Sequence, residues 1–224
     1  MTRFEQRIRA SLDSEVAQIP VILGLCGSGR TTILRQVQRE IGQQACQYVN
    51  VERTATTPER FLSALVAGSP FRETPATARR TSPRQAFDDV LAFLSEARCA
   101  DGTPATFLLD GMMELRTFES FPGLRRALPE ALAALAASPN RFALASRYIA
   151  RAERALEGAP PQFRVAHVQG VGPDDIGRMI PTAESASRDG GGQGAPAPGD
   201  PHAAWMLAVQ RLADGRAAYA RAIV

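Results

Sequence analysis

The sequence predicts an α/β fold: a three-layer α-β-α sandwich around a mainly parallel five-stranded sheet, with a short helical segment at its C-terminal end. Two observations carry this. Short apolar runs alternate with segments of helical spacing at intervals of roughly 30 residues, the pattern of parallel strands joined by crossover helices. The first apolar run also feeds a glycine-rich turn, Gly24-Leu25-Cys26-Gly27-Ser28-Gly29, which opens directly into a helical segment.

The elements follow in order. Phe4, Ile8, Leu12 and Val16 lie four apart, a narrow helical stripe over residues 3 to 17. Residues 19 to 25 form the first strand, and a helix runs from the glycine turn to about Ile41. Residues 47 to 51 read as a second strand. Thr57-Pro58-Glu59 supplies a capping hydroxyl, a proline at the first helical position and an early acid, so a helix starts there and stops near Gly68. Residues 69 to 83, with three prolines and several threonines, read as an exposed loop. Ser82-Pro83 starts the next helix, with Phe87, Val90, Leu91 and Leu94 on one face. Strands are expected at 105 to 110, 141 to 146 and 163 to 168, with a helix from Pro122 to about Ala137. Residues 1 to 180 make the main domain. Residues 181 to 201 are rich in Gly, Pro, Ala and Ser and read as a linker or long loop. Residues 202 to 224 turn helical again, with Trp205, Leu207, Val209 and Leu212 as anchors of a partial lid.

Composition narrows the class. With 224 residues and 45% apolar, the chain can bury one sizeable core. The net charge of +3 comes without a dense basic stripe, so the balance gives nucleic acid only weak support. All 26 basic residues are arginine, a bias that by itself offers a bland explanation for any arginine standing where lysine is usual. Cys26, Cys46 and Cys99 have neither metal-ligand spacing nor even pairing, which points to a reducing cytoplasm, and no stretch approaches the roughly 18 apolar residues of a membrane span, so no membrane is expected. A thiol at Cys26 is a redox-sensitive position, although any small residue fits that slot.

The chemistry gathers at three places. In the turn from Gly24 to Thr32, the glycines let backbone N–H groups curl inward, and the following helix adds its N-terminal partial charge. Gly24, Cys26, Gly27, Ser28, Gly29, Arg30, Thr31 and Thr32 are therefore candidate phosphate contacts, with Thr31 able to offer its hydroxyl to Mg²⁺. Arg30 stands where this motif usually carries lysine. It keeps the charge, but its planar fork cannot fill the same volume. At the second place, Asp110 ends the Phe107-Leu108-Leu109 strand and can hold the Mg²⁺ shell with Thr31, or it simply ends a strand. The third is Ser146-Arg147 at the end of the fourth strand, where strand tips converge on a ligand. Arg147 is either a sensor of a terminal phosphate or one half of a structural ion pair. Arg151 and Arg154 continue that segment as a solvated face. His167, inside an apolar strand, reads as a core histidine.

In Gly24 to Thr32, Phe107 to Gly111 and Leu144 to Arg147, order and spacing resemble a P-loop ATPase of the AAA+/STAND-type, additional-strand superfamily with a variant Walker A motif. The resemblance spans about residues 15 to 180 and implies sheet order 5-1-4-3-2, with ATP and Mg²⁺ at the strand tips. It also implies a helical lid with a sensor arginine, for which Arg216 in residues 213 to 222 is the candidate. Many ATPases of this layout place a water-orienting glutamate after the Walker B aspartate, where this chain has Gly111. Glu114, one turn on, is either the substitute or a surface acid.

The expected function is an ATP-binding protein whose weak or conditional hydrolysis drives a conformational switch, with Asp110, Glu114 and Arg147 as candidate catalytic residues. The alternative is a non-catalytic nucleotide-sensing or interaction module. A third reading is a helper ATPase on DNA, contacted by Arg72, Arg79, Arg80 and Arg84. The partners expected are ATP or ADP, with a homo-oligomer or protein partner possible in principle. On sequence grounds, changing Arg30 to Lys and Gly111 to Glu together should raise turnover if the two departures merely impair hydrolysis.

Overall fold

The structure, a computed structural model, describes residues 3–14, 18–71, 82–168, 170 and 201–213, together with 216 and 219. The chain divides into two units, Met1–Gly24 with Arg30–His167 and Leu25–Gly29 with Val168–Val224.

The first unit opens with α1 (Arg3–Leu12), then β1 (Ile19–Leu23), α2 (Arg30–Ile41) and β2 (Cys46–Asn50). A single turn, α3 (Val51–Thr54), precedes α4 (Pro58–Ala67) and α5 (Pro83–Glu96). Then come β3 (Thr106–Asp110), a 3-10 helix (Met112–Ser120), α6 (Ala127–Ala137), β4 (Arg141–Ser146), α7 (Ile149–Glu157) and β5 (Phe163–His167). In the second unit, α8 spans Pro201–Ala213.

The five strands are all parallel in the order β2-β3-β4-β1-β5, the order expected from the resemblance. Alternation along each strand splits the core. Val21, Leu23, Val49, Phe107, Leu109, Phe142 and Leu144 pack with apolar residues of α4, α5, the 3-10 helix and α6. The intervening residues point the other way, towards the face that α1 and α2 pack against. Phe107 anchors the larger core, lying 5.7 Å from Phe142 in a stacked arrangement and 5.1 Å from Phe71 edge-on.

Helix starts follow their caps. Thr57 and Ser82 each accept from the backbone N–H three residues on, as Thr-Pro and Ser-Pro predict. Asn50 caps α3 in the same way, accepting from Arg53 N. That short helix begins one residue inside the stretch read as strand, because the cap competes with strand extension. Two further expectations move. The helix assigned from Pro122 begins at Ala127, and the chain before it winds as a 3-10 helix that buries Met112, Met113, Leu115 and Phe118. His167 is no core histidine. It ends the edge strand β5 with its side chain 55% exposed, 3.3 Å from Glu153 Oε1. A strand flanked on one side only has an uncovered edge, so apolar neighbours in sequence do not guarantee burial.

Val16, most of the loop at 72–81 and the linker at 181–200 lie outside the described residues. Within α8, Trp205, Leu207 and Leu212 are exposed while Val209 and Ala213 are buried. No helix among the described residues is long and apolar enough to cross a membrane.

Candidate functional site

The sheet register builds the site. Asn50 pairs with Asp110, Asp110 with Ala145, and Leu23 with Ser146, so the carboxyl ends of β2, β3, β4 and β1 line one edge. The groups carried there arise from residues far apart in sequence.

Thr31, in the first turn of α2, donates its hydroxyl to Asp110 Oδ2 at 2.6 Å. Tyr48 on β2 donates to the same oxygen at 2.9 Å. Asp110 is only 9% exposed, so these two donors solvate a charge that water barely reaches. Burial first, and the Asp110 charge second, push the Tyr48 hydroxyl up to about 12, while Arg35 works against them. The Arg35 guanidinium lies over the Tyr48 ring, 3.5 Å from its centroid. Sequence reading missed Tyr48, because its only signal is β pairing with the strand that carries Asp110.

Arg30 starts α2, and its guanidinium donates back to the carbonyl of Gly24. Gly24 N in turn donates to Ser146 O at 3.3 Å, which links the ends of β1 and β4. The forked head of arginine suits such a backward contact, where a lysine would present a single ammonium. Thr32 is exposed beside Thr31.

The loop itself, Leu25–Gly29, makes a tight turn closed by Ser28 N donating to Leu25 O at 3.1 Å. Gly27 has φ 80 and Gly29 φ 95, a backbone that side chains resist. A Cβ on Gly29 would meet no described atom within 4 Å. Ser28 Oγ is buried with no hydrogen-bond partner among the described residues. Cys26 is exposed and free; Cys46 and Cys99 are free and buried.

A second cluster surrounds Arg147. Its guanidinium lies 2.8 Å from Glu52 Oε1 and 3.8 Å from Glu114 Oε1, and donates to the Tyr148 hydroxyl at 2.7 Å. The Tyr148 hydrogen bond and then the two carboxylates hold its pKa above the ordinary arginine value. Of the two readings of Arg147, the ion pair is the arrangement present. Glu114 is no free surface acid, since its Oε1 is buried. Ser146 Oγ accepts from Tyr148 N at 3.1 Å, stitching β4 to the start of α7. Arg151 and Arg154 are exposed, as expected. Arg216, in the second unit, donates to the Tyr219 hydroxyl at 3.4 Å.

A hydroxyl and a carboxylate are hard oxygen donors, and their proximity at the tips of α2 and β3 fits Mg²⁺, which usually takes few protein ligands and keeps waters and phosphate oxygens. Among the described residues no group of three or more His, Cys, Asp and Glu could hold a metal alone. Among the described residues, the unpartnered Ser28 Oγ and the open face of Gly29 fit a loop shaped around a polar group.

This sheet order, with a glycine loop leading into α2 and a carboxylate at the tip of β3, matches the P-loop NTPase α/β fold. Solved structures agree at the level of fold. A Walker-type ATPase of Pyrococcus abyssi superposes with TM-score 0.65 at 14% identity, over 97% of this chain and 64% of that one. A chain of Drosophila ORC bound to DNA superposes with TM-score 0.52 at 13% identity, over 78% of this chain and 44% of its own. The chain thus spans just under two thirds of the Pyrococcus protein's length and less than half of the Drosophila chain's. No family model matches the sequence, and no curated protein does.

Proposed function

We propose that the chain is an ATP-binding protein of the AAA+/STAND type with a variant Walker A motif. In this reading its Mg²⁺-dependent hydrolysis is weak or conditional and drives a conformational switch. The observation that carries the reading is the 2.6 Å contact between Thr31 and Asp110, residues 79 apart that a Mg²⁺ site needs side by side. When bound, Mg²⁺ would neutralise charge on the terminal phosphates. The backbone N–H groups of residues 24 to 29 and the N-terminus of α2 would hold those phosphates, with Arg30 adding a positive charge. Tyr48 would keep the Asp110 carboxylate turned towards Thr31. Residues 1 to 180 would form the nucleotide-binding domain, 181 to 201 a linker and 202 to 224 a partial lid carrying Arg216. A reducing, cytoplasmic setting suits the three free cysteines.

Calorimetric titration with ATP and ADP, with and without Mg²⁺, tests this. Binding strengthened by Mg²⁺, and losing that dependence in Asp110→Asn, is the expected result; no binding at millimolar ATP would refute it.

One observation favours the second reading, a non-catalytic nucleotide sensor. Arg147 is already engaged by Glu52 and Glu114, and so is not poised for a phosphate. ATP bound tightly and recovered intact after hours would support it. The DNA reading draws on the DNA-bound Drosophila neighbour, but Arg84 is held by Asp88 and Glu130, which competes with a phosphate-backbone role. Retention of the chain on DNA that falls steeply with salt would revive it.

A further inference from the structure

The position after Asp110 is occupied by a glycine for a reason visible in the packing. Gly111 sits at φ 81, and a Cβ built on it would lie 3.3 Å from Glu52 Cβ and 3.3 Å from Glu52 N. Glu52 therefore crowds the place from which a side chain at 111 would start. It does so because Asn50, paired in register with Asp110, caps α3 and turns the chain so that Glu52 comes down over the tip of β3.

We propose that Glu52 supplies the acid this site lacks at position 111, delivered from the β2–α3 junction and oriented by Arg147. The proposal rests on the ATP-binding reading above. Three features single out Glu52. Its side chain is 47% exposed, so it meets water, whereas Glu114 has its Oε1 buried. Its carboxylate is fixed by Arg147 Nη1 at 2.8 Å. Arg147 follows Ser146 at the tip of β4, the strand between β3 and β1, so the acid is held over the same sheet edge as Asp110 and Thr31. In the step itself, Glu52 takes one proton from a water as the water oxygen bonds to the terminal phosphorus of ATP. The bond from that phosphorus to the bridging oxygen breaks, ADP leaves with the electron pair, and the proton passes to solvent as inorganic phosphate departs.

The test uses the full chain and compares Glu52→Gln, Glu114→Gln and Glu96→Gln, the last an exposed acid in the final turn of α5. Calorimetry gives Mg²⁺-dependent affinities for ATP and ADP, and phosphate release is followed at saturating ATP. Glu52→Gln should leave ADP affinity within about twofold and tighten ATP several-fold, because a negative charge beside the terminal phosphate is gone. Phosphate release should fall by about a hundredfold or more. Glu52→Asp, which keeps the charge but shortens the reach, should lose release partially and leave the ATP-to-ADP ratio near wild type; it also stands in if the glutamine variant folds poorly. Glu96→Gln should move nothing. Unchanged release or an unchanged ATP-to-ADP ratio in Glu52→Gln would overturn the proposal. So would loss of release in Glu114→Gln alone, or a wild-type chain that binds ATP and releases no phosphate. A wild-type chain that binds neither nucleotide overturns the parent reading, and this one with it.

Discussion

Replacing Gly111 by alanine gives a sharp test of the packing at the tip of β3. Its φ of 81 lies in the left-handed region, where a Cβ costs about 1–2 kcal/mol. The added atom also lands 3.3 Å from the backbone nitrogen of Glu52, which cannot rotate away as a side-chain tip can. Overpacking of that kind adds about 1 kcal/mol or more. The reduced freedom of the unfolded chain returns about 0.4–1 kcal/mol. The net loss is therefore about 2 kcal/mol, a fall in Tm of roughly 4–8 °C for a chain of this size.

Two controls separate the contributions. Gly102 has φ 83 but open space within 4 Å of a built Cβ among the described residues, so Gly102→Ala carries the backbone cost alone. Gly158 caps α7 at φ −101, also in open space, so Gly158→Ala should be neutral or slightly stabilising. Urea melts followed by circular dichroism would rank the variants Gly158→Ala, Gly102→Ala, Gly111→Ala in falling stability. A Gly111→Ala chain as stable as Gly102→Ala would show that Glu52 does not crowd position 111. The same geometry opposes the sequence-based repair: a glutamate at 111 meets the same backbone, so Gly111→Glu should lower stability before it can help turnover.

Tyr48→Phe removes one of the two hydroxyls on Asp110 Oδ2 and should destabilise by about 1.5 kcal/mol in urea melts; no change would mean solvent already serves that oxygen. With the Tyr48 hydroxyl raised to about 12 in the fold from an unfolded value of 10, its stabilisation is full below pH 10 and fades as pH climbs from 10 towards 12. Tyrosinate absorbance should show a late phase that Tyr48→Phe abolishes. A thiol reagent at pH 8 should modify Cys26 quickly and spare Cys46, whose thiol burial lifts to about 12; mass spectrometry finding Cys46 labelled in the native chain would contradict the fold there. Asn140 accepts from Ala105 N and Arg98 Nη1 and donates to the Leu94 and Ser95 carbonyls, so Asn140→Ala should cost about 2–3 kcal/mol by stranding buried backbone groups, and a loss under about 1 kcal/mol would refute that tie.

How far the sequence could be read depended on the range of the interaction concerned. Thr57 and Ser82 cap helices three residues ahead, a local contact, and both helices begin where their caps say. The apolar runs of β1, β3 and β4 are buried on both faces, so composition alone marks them. The 3-10 helix escaped because its burial follows packing against α6 and α3 rather than a clean helical period. His167 misled because edge position belongs to the sheet and not to the strand's own residues. At the site, Thr31 and Asp110 were legible from motif spacing. Tyr48 and Glu52 were not, since each reaches the site only through the β2–β3 register.

That register gives the two departures from the Walker pattern different meanings. Arg30 changes one side chain of the loop, and its guanidinium donates to the Gly24 carbonyl six residues back. Gly111 is bound up with its surroundings: the Asn50 cap and the Arg147 ion pair hold Glu52 where a side chain at 111 would crowd it. A glycine that had merely drifted from glutamate would leave a gap beside Asp110. Here the backbone of α3 fills that space and brings a carboxylate with it, so the missing acid and the displaced acid are two aspects of one packing arrangement.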